Sequence, residues 1–299
     1  MVIGIIMFVY ARDAAMLTNS QIDSYHHNGY ISVEDVLSGD DLSELRSVTD
    51  SFLEQSRSVS ENNEVFDLES NHSPEQPQLR RLKDPINQHE IFKRIMRYEK
   101  ILSIVSQLIG EAIRCNGSKL NFKLPGFGSA VEWHQDWAFY PHTNDDLLAV
   151  GVALDEMNDE NGPLLVVPGS HKGPTYDHHQ DGHFCGAITD PQLQIDAAIP
   201  LIMKAGGITI HHVRLLHGSR KNSSDIARRL LLFQYAAVDA WPLMGISSFE
   251  EFNAQIIRGG ETNIPRFRHA PVRMPFPKPL KEGSIYESQS VLRKSTFQD

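Results

Sequence analysis

The sequence predicts a mainly β protein with flanking helices, built as an antiparallel sandwich or barrel, and three observations carry that prediction. Up to Gly110 the apolar residues recur at helical spacing, and beyond it they fall into short runs. Those runs are separated by turn residues: Pro125-Gly126, Asn161-Gly162-Pro163, Pro168-Gly169 and Asn222-Ser223-Ser224-Asp225. Short apolar runs with such breaks are the pattern of strands joined by tight turns.

Taken in order, the opening run MVIGIIMFVY is apolar, lacks a basic leader and is too short to cross a bilayer. It reads as a signal-peptide core or as a start extended upstream of a natural Met16. Ile22 and Tyr25 share a helix face that Gly29 closes, and Tyr30, Ile31 and Val33 then read as a short strand. Ser38 and Asp40 are candidate N-caps for a helix whose Leu42, Leu45, Val48 and Phe52 recur at helical spacing. Residues 58–78 are polar and contain proline, which predicts a flexible loop or a lid. Ile91, Ile95, Ile104 and Leu108 mark one or two further helices. Candidate strands follow at 119–123, 130–134, 147–154, 164–167, 207–211 and 228–235. The expected organisation is one domain over 1–299, mostly helical to 118, a β core over 119–240, and a tail over 241–299 that wraps the core.

Charge narrows the function. Lys and Arg total 28 against 38 Asp and Glu, a formal −10, so nucleic acid and anionic membrane are disfavoured and a small molecule is the default partner. Cys115 and Cys185 are too few for a disulfide framework or a four-thiolate zinc site, and they fit a reducing, cytoplasmic compartment.

Within Trp133-His134-Gln135-Asp136-Trp137, residues two apart on a strand point to one face, so His134 and Asp136 can grip one cation. The segment from His211 to Ser219 offers a further imidazole at a strand end. Two neutral imidazoles and one carboxylate form the facial triad of non-heme Fe(II) oxygen chemistry. Arg228 enters an apolar strand, and an interior guanidinium needs an anion. Alternation along the strand does not say whether Arg228 or Arg229 faces inward, because Leu230 to Phe233 are all apolar.

W-H-Q-D at Trp133 to Asp136, N-G-P-L-L-V-V-P-G-S-H-K-G at Asn161 to Gly173, and H-H-V-R-L-L-H-G-S followed by Arg228 together resemble the phytanoyl-CoA dioxygenase family of Fe(II)/2-oxoglutarate oxygenases. The resemblance covers about 18–243. It implies a double-stranded β-helix, the cupin-like jelly roll, with helices on one side. It implies His134, Asp136 and His217 as Fe(II) ligands, Arg228 as the clamp on the far carboxylate of 2-oxoglutarate, with Ser219 assisting, and O2 as oxidant. Spacing from His217 in the family selects Arg228 over Arg229. A basic residue upstream also faces the cosubstrate in the family; Arg81 is the closest match and Arg80 the alternative. Related halogenases leave the position of Asp136 without a carboxylate, so its presence implies hydroxylation or desaturation of a small organic metabolite. The rivals are a redox-neutral metalloenzyme and a silent metal-binding module, neither of which needs Arg228 and Ser219.

Trp137, Phe139 and Tyr140 read either as the substrate mouth or as an ordinary aromatic cluster. Lys123 meets an anionic substrate or is simply solvated. His171 reads as a hydrogen-bonded turn residue, and His178, His179 and His183 as a mobile active-site loop, with a second metal site as the alternative. Gly126-Phe127-Gly128 is a turn, since no helix start follows it.

Overall fold

Thr18 caps the first helix through a capping box with Gln21, and Gly29 ends it in the left-handed conformation. A Cβ on Gly29 would also sit 2.4 Å from His171 Nδ1, so the close approach needs glycine as much as the turn does. Ser38, and not Asp40, caps the second helix by accepting from the Asp41 amide. The computed structural model describes residues 16–273, 278–281 and 283–297; the opening run 1–10 lies outside them. The helices are α1 (Asn19–Asn28), α2 (Gly39–Gln55), α3 (Pro85–Gln88), α4 (Glu90–Met96), α5 (Glu99–Ile109), α6 (Phe249–Ala254) and α7 (Ile285–Gln289). The strands are β1 (Tyr30–Val33), β2 (Phe66–Leu68), β3 (Leu79–Lys83), β4 (Ile113–Lys123), β5 (Val131–His134), β6 (Leu147–Ala153), β7 (Leu165–Val166), β8 (His179–Gln180), β9 (His183–Phe184), β10 (Ile199–Pro200), β11 (Ile208–His212), β12 (His217–Ser219), β13 (Arg228–Ala237) and β14 (Ile256–Arg258).

Two antiparallel sheets make the jelly roll. The larger runs β1-β11-β6-β13-β4-β3-β2, with β14 beside β4, and the smaller runs β10-β7-β12-β5. The helical layer covers one face of the larger sheet. Leu231, Phe233 and Tyr235 of β13 point into it and share a buried core with Leu45, Phe52, Phe92 and Ile104. Leu230 and Leu232 point the other way, toward the smaller sheet, and pack with Ala149, Ala153 and Met203. This packing fixes what alternation left open. Arg228 shares the inner parity of Leu230, whereas Arg229 faces the helices and pairs with Asp155 at 2.8 Å. A bulge at Asn116–Gly117, where the Gly117 φ of 137° favours glycine, shifts β4 by one residue, so that Ile113 and Cys115 join Leu120 and Phe122 on the helical side while β13 keeps its parity.

Helices prevail up to residue 118, as expected, but β2, β3 and the start of β4 also come from that stretch and extend the larger sheet, β3 pairing with β4 at Arg81↔Asn121. Residues 58–78 carry β2 on the sheet edge, where Glu69 accepts from the amide and hydroxyl of Ser129 and Arg57 holds the Pro74 carbonyl. Polarity there serves hydrogen bonds that hold the segment in place. Among the described residues, no helix is long and apolar enough to cross a membrane.

Candidate active site

His134 ends β5, and its strand partner is His217 on β12. Asp136 starts a short 3-10 turn, yet Gln135 keeps an extended backbone (φ −120°, ψ 126°), so His134 and Asp136 still share a side. One donor atom from each of the three lies within 4.8 Å of the others, and all three residues are buried. His134 Nε2 is 3.8 Å from Asp136 Oδ1. The Nδ1–H of His134 donates to the Glu132 carbonyl at 2.8 Å, and that of His217 to the Leu215 carbonyl at 2.9 Å. Both Nε2 lone pairs are thereby left for a metal, the tautomer that second-shell carbonyls impose. The donor set fits Fe(II).

Electrostatics agree. Burial pushes His134 down to about 4 and His217 well below its ordinary value, so both imidazoles are neutral at pH 7. Burial alone would raise Asp136, but the Lys119 ammonium at 3.9 Å and His211 at 3.6 Å outweigh it and keep the carboxylate ionised. His142 and His178 are also buried and held neutral, at about 4 and about 3. Folded-state values below the unfolded one mean that the unfolded chain takes up protons first as pH falls. Metal-free protein is therefore expected to keep its full stability above pH ~6.5 and to lose roughly 1 kcal/mol per pH unit for each such histidine between there and about pH 4. Urea melts at pH 7.5, 6 and 5 check this, and a flat profile would contradict it.

Arg228, buried on the inner face, donates among the described residues only to the Gly162 carbonyl, from Nε and Nη2 at 3.1 and 2.9 Å. Desolvation lowers it to about 10, so it stays charged and faces a small cavity together with Ser219, His134 and His217. Arg81 borders that cavity and also the larger mouth beside Asp136, its Nε donating to Asn121 at 2.8 Å. Arg80 is turned outward over the Tyr286 ring at 4.6 Å.

The mouth is a cavity of about 380 Å³ walled by Trp137, Phe139, Tyr140, Tyr176 and Phe184. Trp137 is anchored by its indole N–H to the Pro271 carbonyl, and Phe139 stands edge-on to Phe184. Tyr140 keeps its proton because burial and Asp136 raise it, and its oxygen accepts from Gln234 at 2.7 Å. Lys123 is not in the mouth. It is fully buried on the far part of β4, where its ammonium donates to the Arg220 carbonyl. His178 pins Gln135 by accepting from its amide, and His179 and His183 sit in the β8–β9 hairpin.

Sequence reasoning missed the roles of Lys119 and His211, and which part of the expected wrapping tail reaches the site. Lys119 shares the parity of Asn121 within the expected strand 119–123, but nothing in the sequence says which side of that strand is inside. Ile285 of α7 borders both cavities, and the Tyr286 ring stacks on Arg80 and Arg81. Glu132 holds the chain end by accepting from the Thr296 amide at 2.8 Å. Among the described residues the buried Tyr286 hydroxyl has no hydrogen-bond partner. Tyr286→Phe is expected to be neutral or stabilising in urea unfolding, and Tyr286→Ala to cost about 3–5 kcal/mol. Equal loss in both variants would contradict the packing role.

A jelly roll whose inner face carries two neutral imidazoles and a carboxylate, beside a buried arginine lacking an anion, is the frame of a non-heme metal oxygenase. The pattern defining the phytanoyl-CoA dioxygenase (PhyH) family matches residues 25–230, and the chain belongs to that family. It is 38% identical over 279 residues, 91% of this chain and 97% of the other, to a probable alpha-ketoglutarate-dependent hypophosphite dioxygenase of Stutzerimonas stutzeri. It is 25% identical to an ectoine dioxygenase of Streptomyces avermitilis, over 81% of this chain and 84% of that one. The structure of EctD from S. alaskensis with 2-oxoglutarate and 5-hydroxyectoine overlays with a TM-score of 0.65 at 22% identity, covering 88% and 90% of the two chains. The chain is an oxidoreductase of the Fe(II)- and 2-oxoglutarate-dependent dioxygenase class.

Proposed function

We propose that this enzyme hydroxylates a small molecule held in the mouth above Asp136, with His134, Asp136 and His217 holding Fe(II). Arg228 and Ser219 receive the far carboxylate of 2-oxoglutarate, and Arg81 supports the cosubstrate from β3. The observation that carries this reading is the pair of imidazoles whose Nδ1 protons are committed to backbone carbonyls, leaving both Nε2 atoms facing Asp136. When bound, iron supplies the redox centre at which 2-oxoglutarate and O2 are consumed. One oxygen atom enters succinate as carbon dioxide leaves, and the other enters a substrate bond to hydrogen.

The chain's own residues select and orient. Trp137, Phe139 and Phe184 give the mouth apolar walls, and Tyr140 and Gln234 offer polar contacts beside Asp136. A second reading of the substrate, oxidation of P–H in a hypophosphite-like anion, is favoured by the 38% identity that spans 97% of that relative. Succinate release should require Fe(II) and 2-oxoglutarate and be stimulated by the true substrate. Anaerobic Fe(II) plus 2-oxoglutarate should also give a weak visible absorption band. With hypophosphite as substrate, 31P NMR would show phosphite. Absence of both the band and succinate in iron-loaded protein would overturn the reading.

A further inference from the structure

We infer that Lys119 is the substrate-selecting residue, holding a negatively charged oxygen of the substrate beside the metal site, so that this enzyme oxidises small oxyanions. The inference rests on the function proposed above and names its substrate class. Lys119 lies in the middle of β4, paired with Leu232 on one side and Lys83 on the other, and its side chain is 21% exposed. It borders both the mouth and the cavity beneath Arg228, so its ammonium stands where the substrate and cosubstrate spaces meet. Among the described residues that ammonium donates no hydrogen bond. Its acidic neighbour within 4 Å is Asp136, at 3.9 Å, beyond hydrogen-bond reach.

Charge counting leaves Lys119 without a partner once the site is loaded. The walls carry five cations, Arg81, Lys119, Arg228, Arg273 and Lys278, against the single carboxylate of Asp136; Arg273 and Lys278 are more exposed than Lys119, and Arg273 pairs with Asp177 at 3.0 Å. The two charges of Fe(II) would be offset by Asp136 and the near carboxylate of 2-oxoglutarate. Arg228 is answered by the far carboxylate, and Arg81 is steered by Asn121 and by the Tyr286 ring. An ammonium largely withdrawn from water with no acceptor in hydrogen-bond reach is costly. A substrate oxyanion in the mouth supplies both the charge and the acceptors. The flexible stem and three donors of lysine suit a small anion of variable shape better than the rigid fork of arginine.

The test uses full-length protein loaded with Zn(II) and 2-oxoglutarate, which does not turn over, and calorimetry with hypophosphite and acetate as probes. Wild type should bind at least one of them about 10- to 100-fold more tightly than Lys119→Met, as expected for losing a charge-assisted hydrogen bond. The affinity of Zn(II)-loaded protein for 2-oxoglutarate should agree within about twofold between the two. In turnover, small anions should stimulate succinate formation where their neutral amides and alcohols do not, and Lys119→Met should act mainly through KM. Equal probe binding by both proteins, no probe binding by wild type, a matching loss of 2-oxoglutarate affinity, or preference for a neutral substrate would each overturn the inference. The visible band with Fe(II) and 2-oxoglutarate separates this failure from failure of the function itself. Should Lys119→Met not fold, Lys119→Gln takes its place and the same comparison decides.

Discussion

Replacing His134, Asp136 or His217 with alanine abolishes substrate-dependent succinate formation and weakens Fe(II) binding, while the fold survives. Each side chain is buried, but it points into the space between the sheets and contributes nothing to the core under the helical layer. The imidazoles bond only to local carbonyls two residues away, so truncation strands no distant partner. Asp136→Ala differs in kind. It removes the single carboxylate among the donors and leaves the positive charge of Lys119 uncompensated, so metal affinity should fall most there. Asp136→Glu keeps the charge but displaces the carboxylate by one methylene from the two imidazoles, and should not restore turnover. Metal content after dialysis, circular dichroism and succinate assays decide the matter. Wild-type-like turnover from any of the three alanine variants would sink the triad.

Arg228→Ala weakens 2-oxoglutarate by about two to three orders of magnitude, whereas Arg229→Ala leaves that affinity near wild type and lowers stability. Breaking a buried guanidinium–carboxylate pair costs about 3–5 kcal/mol, at roughly 1.4 kcal/mol per tenfold. Arg228 has room for the carboxylate because Gly162 provides only a carbonyl, which occupies Nε and Nη2 and sets the plane of the guanidinium. Arg229 is already satisfied by Asp155 and Asp50 on the opposite face. Lysine at 228 keeps the charge but lacks the planar fork, so Arg228→Lys should recover only part of the loss. Titration of both alanine variants with 2-oxoglutarate is the check. A larger loss for Arg229→Ala would mean that the inner face of β13 has been misassigned.

These two results bear on how far the site could be read before the fold was known. His134, Asp136 and His217 stood out because residues two apart on a strand share a face and because the surrounding motif has a family resemblance. Arg228 could be chosen over Arg229 only by that resemblance, since Leu230 to Phe233 carry no polar residue to break the symmetry. The 58–78 segment is more tied down than its polarity suggested, because polarity marks hydrogen bonding as readily as mobility. Within it His72 accepts from the Gln78 amide, and Glu69 accepts from the amide and hydroxyl of Ser129. Lys123 misled for a related reason. A lysine at a strand end is usually solvated, but here a carbonyl of the β12–β13 connection takes its ammonium into the interior.

What the sequence determined by itself is local. Strand parity brings His134 and Asp136 to one side, the breaks at Pro125, Asn161, Pro168 and Asn222 cut the chain into strands, and the capping residues Thr18, Ser38 and Gly29 bound the first two helices. These depend on neighbours a few residues away, where side-chain type and backbone preference act directly. The tertiary structure alone decided which face of β13 is inside, because only the helical layer makes the two faces different. It also decided that Lys119 and His211 stand beside Asp136 and that α7 closes the cavities. Those placements join residues far apart in the chain, and they are set by burial of apolar area across whole sheets, a quantity that no local pattern contains.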